Sequence, residues 1–190
     1  MGTLFVDNIK HQSSQGSGTI TVGASGETVA PASGVMTKLG VFENQLLHVR
    51  DEKSAATNGG TSSVGYQTRT LNTVVTNEIT GASLSSNQIT LPAGTYFIDA
   101  YATAYKTSQN VISFYNVTDS SNGIFGRNNY ASASDAVSSN NTLAQRFTIS
   151  AQKIFELRHY VAAGRSSNGL GVANGSNTNI YSDVLIWKIA

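Results

Sequence analysis

A chain of 190 residues has room for one two-layer domain plus an extension, and not for two full enzyme domains. Only 12% of it is charged and the net charge is +1, so it lacks the electrostatic footprint of a nucleic-acid or anionic-membrane binder. With no Cys it has no disulfide framework, thiol nucleophile or thiolate metal site.

Residues 1 to 44 carry few aromatics and much Gly, Ser and Thr, a composition that cannot build a core alone. Two short β-favouring pieces stand out, 4–9 with Leu4, Phe5, Val6 and Ile9, and 19–22 with Ile20 and Val22. Gly16, Gly18, Gly23 and Gly26 flank the second piece. Such strands need a partner, and another chain is the expected one. The first ten residues show no basic start, long apolar stretch or small-residue cleavage pattern, and no run approaches the roughly 20 apolar residues of a membrane span. Synthesis in a cytoplasm without membrane insertion is therefore expected.

From Gln45 onward short apolar runs alternate with turn signals, the pattern of an antiparallel sandwich. Strands are expected at 46–50, 68–75, 83–91, 94–105, 111–117, 123–130, 144–150, 153–161 and 180–189. The connectors 54–63, 118–123, 132–142 and 164–179 are polar and rich in Gly and Asn, and no segment holds a helical period. Long loops of this kind are where recognition usually sits.

The segment NQITLPAGTYFIDAYATAY, 87–105, is the most informative. It reads as strand, turn and strand. In the second strand Tyr96, Ile98, Ala100, Ala102 and Ala104 share one face, with Phe97, Asp99, Tyr101, Thr103 and Tyr105 on the other. Three aromatics on the second face need a cover, and a second copy of the chain is the simplest.

Catalytic patterns are missing. The 11 acidic residues are scattered singly, without the paired carboxylates of glycoside hydrolysis. Glu156 and Arg158 alternate with Phe155 and Leu157 and read as outward partners. His11, His48 and His159 lie far apart, in no HxH or HExxH pattern, and His159 is in phase with apolar neighbours, as a partly buried histidine at the core edge would be. Asp119, Asp135 and Asp183 lack the spacing of a calcium loop; if copies of the chain pack on this face, Asp99 is the position at which a shared ion would bind. No cofactor is expected. Trp187, on the last strand, is assigned to core or interface. Phe125, Tyr130 and Tyr181, near loop edges, are the candidates for contact with a sugar or protein surface.

Three features of 45–190 resemble the trimeric jelly roll of complement globular heads and tumour necrosis factor-like proteins. They are LPAGTYFIDA, the FTISAQKIFEL hairpin at 147–157, and the terminal SDVLIWKIA. Gln152 and Lys153 stand where that family often has Gly-Asp, and no collagen-like tract precedes the domain. Nearly the whole chain, through LFVDNIKHQSSQGSGTITVGASGETV and RTLNTVVTNEITGASLSSNQITLPAGTYFI, also resembles virion proteins of tailed bacteriophages, particularly marine ones.

The resemblance implies an all-β antiparallel jelly-roll head, 45–190, behind an extended arm, 1–44, in a homotrimeric fibre or spike. Phe97, Asp99, Tyr101 and Tyr105 would face the three-fold axis, while Tyr96 and Ile98 fill the sandwich. Leu4, Phe5, Val6, Ile9, Ile20 and Val22 would anchor the arm to capsid, neck or tail proteins, and the head would meet a host glycan or protein. A decoration or head-fibre protein without a receptor role, and a polysaccharide-degrading tailspike, are the alternatives.

Overall fold

A computed structural model describes residues 45–189, so the expected arm, including Leu4, Phe5, Val6, Ile9, Ile20 and Val22, lies outside the described residues. The described chain contains no helix and forms two antiparallel sheets.

The first sheet has five strands: β1 (Gln45–Lys53), β3 (Thr73–Asn77), β6 (Gly94–Tyr105), β10 (Ser138–Ile149) and β12 (Asn179–Lys188), in the order β10-β6-β12-β1-β3. The second has seven. β4 (Ser83–Ser85), β5 (Gln88–Leu91), β11 (Lys153–Val161), β7 (Ser108–Asn116) and β8 (Ser121–Phe125) follow one another, while β2 (Gly65–Thr68) pairs with β11 and β9 (Asn129–Ala131) with β7. Neighbours distant in sequence, such as β6 with β12, give the jelly roll its crossing connections.

The core between the sheets follows from the period-two pattern. Tyr96, Ile98, Ala100 and Ala104 are fully buried, as are Leu47, Val49, Ile89, Leu91, Ile112, Phe114, Leu157, Val184 and Ile186. Phe114 stacks on Phe155 with centroids 4.6 Å apart, and Phe147 meets both edge-on. The Tyr96 hydroxyl donates to the Pro92 carbonyl at 2.7 Å, which lets a phenol sit inside the sandwich.

Several expected strands divide where the chain changes sheet. The expected 68–75 strand becomes β2 in the second sheet and β3 in the first, with Arg69 and Leu71 turned inward on the crossing between them. The expected 83–91 strand is a hairpin, because Ser86 and Asn87 both take positive φ, 51° and 65°, as a two-residue turn requires. LPAG joins β5 to β6 across the sandwich and is not a hairpin. The expected 123–130 strand breaks at Gly126, where a Cβ would meet the Thr142 carbonyl oxygen at 2.5 Å as the chain passes β10. β10 begins at Ser138, inside the expected 132–142 loop. Its polar start hides the alternation, for Ser139 and Asn141 are buried beside Leu143.

The long connectors at one end are fastened to one another. The Gly59 amide donates to Gly171 O, Leu170 donates to Gly60 O, and Ser62 and Arg165 exchange main-chain bonds. Gly171 has φ +140°, and a Cβ there would collide with the Tyr181 ring.

Candidate oligomer interface

The outer face of the first sheet places three cross-strand rows side by side. Strand pairing aligns Arg146, Phe97, Trp187 and Leu46 in one row, then Ala144, Asp99, Leu185 and His48, then Thr142, Tyr101, Asp183 and Arg50. Phe97 and Trp187 touch with centroids 6.2 Å apart. Phe97 is 38% and Tyr101 42% exposed, although both are large aromatics in the middle of a sheet. An apolar band of Phe97, Trp187, Leu46 and Leu185 thus crosses three strands, and Val74 and Val75 stand exposed on the edge strand β3.

Charge is gathered at one side of the band. The His48 Nε2 lies 2.6 Å from Asp183 Oδ1, and Arg50 reaches Asp183 at 3.3 Å and Glu52 at 3.2 Å. The Tyr101 hydroxyl donates to Asp99 Oδ2 at 2.8 Å, and that bond to a carboxylate holds the phenol above its ordinary pKa. Asp99 thus has a partner in its own chain. No cluster of three His, Cys, Asp or Glu suited to a metal occurs among the described residues.

Hollows flank Tyr101 on both sides. One, of about 180 Å³, is bordered by Asn140, Ile180 and Asp183. The other, of about 360 Å³, is bordered by Asp99, Phe125, Arg127 and Thr142. A projecting ring between two depressions is a shape that a second protein surface can interlock with.

The remaining candidate residues separate. Tyr105, on the same face of β6, is half-buried, with the Arg165 guanidinium 5.1 Å from its ring. Phe125, expected on a receptor-facing loop, shares the larger hollow with Asp99 and Tyr101. Tyr130 is 57% exposed on β9. The expectation that Tyr181 faces a ligand is corrected: it is 3% exposed, and its hydroxyl donates to Thr57 O at 2.7 Å, because β12 enters the sandwich before the loop ends. Trp187 lies on the outer band and not in the core.

A polar cluster between the sheets had no sequence counterpart beyond His159. Arg69, fully buried, donates to Ser182 Oγ at 2.9 Å and to the carbonyls of Thr103, Leu170 and Tyr181 at 3.1, 3.1 and 2.6 Å. Burial lowers its pKa to about 10, which still leaves it charged at neutral pH. His159, expected at the core edge, is fully buried with Nδ1 3.4 Å from Arg69 Nη1. Burial, then the Arg69 charge, lowers its pKa to about 3, so the ring is neutral. Arg69 can only donate, so Nδ1 accepts and the proton sits on Nε2, facing the Asn141 amide at 3.3 Å. The same amide nitrogen donates to Ala102 O at 3.4 Å, and the Asn141 Oδ1 is buried without a partner. The cluster ties β6, β12 and the 164–179 loop together. Arg158 and Glu156 pair at 3.0 Å on the outer face as expected, but Glu156 is buried under its bonds from Thr68, Gln88 and Arg158.

Solved structures similar to this chain carry the same jelly roll. Eiger, a TNF from S. frugiperda, has a TM-score of 0.51 at 9% identity, over 77% of this chain and 93% of that one. Murine APRIL at pH 5.0 has a TM-score of 0.50 at 9% identity, over 76% and 99%. The globular domain of zebrafish complement 1qA has a TM-score of 0.46 at 12% identity, over 77% and 98%. At such identities the likeness is one of fold, and the described domain is a jelly roll of the TNF type. No family model and no curated protein sequence matches the chain.

Proposed function

We propose that the chain is a non-enzymatic virion structural protein of the tailed-bacteriophage kind, a homotrimeric fibre or spike whose head meets the host surface. The observation that carries the assembly is the outer face of the first sheet. Phe97, Tyr101, Trp187, Leu46 and Leu185 form a patch that water covers poorly and a second copy would cover well. Three identical heads on one axis turn weak single contacts into durable attachment through high effective concentration.

The virion role rests on the sequence resemblance that spans both arm and head. In this reading the chain is made in the host cytoplasm and incorporated into the particle, where the strands at 4–9 and 19–22 pair with neighbouring virion proteins. Deleting residues 2–22 should leave soluble trimeric heads that no longer join particles, and normal incorporation of that form would sink the anchor. Particles lacking the chain should adsorb poorly to host cells. Unchanged adsorption would instead make it a decoration or head-fibre protein.

A further inference from the structure

We infer that the outer face of the second sheet carries a binding site for a neutral pyranose sugar, built on Tyr66 and Tyr160. The two face each other across the β2–β11 ladder, with centroids 5.3 Å apart and planes tilted by 57°. Val111 continues the row on β7, because it pairs with Tyr160. Together with Gln109 and Asn128 these side chains line a hollow of about 480 Å³, within the roughly 300–1,000 Å³ of small-ligand sites. Tyr130 stands directly opposite Gln109 on β9 and extends the rim.

Three properties select the ligand class. No charged side chain lines the hollow, so it offers nothing to pair with a phosphate, carboxylate or ammonium group. The nearby guanidinium of Arg158 is already engaged, 3.4 Å from the Tyr115 ring centroid and bonded to Glu156. The polar groups that remain are neutral and two-sided. Neither the Gln109 and Asn128 amides nor the Tyr66 and Tyr160 hydroxyls hydrogen-bond to any other described side chain or backbone group, whereas the Asn129 amide is held by Asn140 O and Tyr130 N.

An amide presents a donor and an acceptor side by side, the match for two adjacent sugar hydroxyls, and a tilted pair of rings offers a face for the sugar's C–H surface. The exposure of Tyr66, 46%, leaves that face open. The site lies on the opposite sheet of the sandwich from the proposed trimer face.

As the receptor contact this site rests on the host-binding reading, but its chemistry can be tested alone. Saturation-transfer-difference NMR on the full chain would use the methyl glycosides of galactose, glucose, mannose and N-acetylglucosamine at roughly millimolar concentration, the affinity range of single contacts. At least one should receive saturation on one ring face, and methyl glucuronide should bind no better. Y66A and Y160A should each weaken binding about tenfold, and Q109A, at an exposed position that leaves the sheet intact, by a few-fold.

No transfer to any of the four, a signal that survives both tyrosine substitutions, or a preference for the glucuronide would overturn the proposal. Particle adsorption separates the two readings. Sugar binding by the chain with normal adsorption of particles lacking it removes the host-binding reading and keeps the site. Adsorption that needs the head but is indifferent to Y66A and Y160A removes the site as receptor contact and keeps that reading.

Discussion

The two sheets turn differently furnished faces outward. Across the first, the apolar row Phe97, Trp187 and Leu46 spans three strands, with the His48, Asp183, Arg50 and Glu52 cluster at its side. Across the second, Tyr66 and Tyr160 stand among amides with no charge in their hollow. Both faces expose aromatic rings, yet what surrounds the rings differs. A surface that is stabilised by drying needs apolar area and few unsatisfied polar atoms, whereas a surface that takes a hydrated ligand needs polar atoms left unpaired.

Opposite responses to one added charge would break or sustain that contrast. Y101D or F97D should dissociate the proposed trimer, since three like charges would be brought together and each buried unpaired charge costs roughly 3–5 kcal/mol. Y160D, on the other face, should leave the mass in light scattering unchanged. Trimeric Y101D, or monomeric Y160D, would exchange the roles of the two sheets.

What joins the faces is the buried cluster at one end of the sandwich. R69M should cost about 3 kcal/mol, because the carbonyls of Thr103, Leu170 and Tyr181 each lose a donor inside the protein, Leu170 O keeping that of Thr103 Oγ1. Urea unfolding measures this, and hydrogen exchange should speed first in the 164–179 loop, on whose Leu170 carbonyl the guanidinium acts. A loss below 1 kcal/mol would mean that water replaces the lost bonds.

The part of this structure that the sequence displays plainly is whatever repeats with period two. Tyr96 and Ile98 against Phe97 and Tyr101 is legible because every second residue of β6 is apolar or small. Tyr160 carried the same signal, being in phase with the outward Glu156 and Arg158. Its exposure is not legible because contact aromatics are expected in loops rather than in strands. Arg69 was hidden for a different reason. A charged residue between two threonines reads as an exposed strand position, and only the crossing between sheets, set by long-range pairing, turns it inward. Tyr181 was misplaced by a bulge. Pairing slips between Asp51 and Glu52, and β12 buries Tyr181 and Ser182 in succession.

Acid should reveal the same cluster with a smaller effect. His159 has a folded pKa of about 3 against 6.5 for the free residue, so the unfolded chain binds the extra proton first. Stability is complete above pH 6.5 and falls as pH drops toward 3, by about 2 kcal/mol between pH 7 and pH 5. Glu156, whose pKa is lowered by its bonds from Gln88, Arg158 and Thr68 against an opposing effect of burial, adds loss of the same sign below 4.5. Asp51, raised by burial, works the other way. H159Q should be less stable at pH 7 and lose the slope between pH 7 and pH 5. An unchanged slope would place the proton elsewhere.

The smallest expected effect tests how wet the second face is. The Arg158 guanidinium sits 3.4 Å from the Tyr115 ring centroid and bonds to Glu156 at 3.0 Å, but its side chain is 29% exposed. An ion pair open to solvent contributes about 0.2–1 kcal/mol, and a ring contact a similar amount. R158Q should therefore lower stability by about 1 kcal/mol, and most of the ion-pair share should vanish in 1 M salt. Because Arg158 does not line the tyrosine hollow, R158Q should also leave sugar binding intact. A large loss that salt does not touch would mean that this face is drier than its amides and hydroxyls imply, and would bring it closer in character to the face across the sandwich.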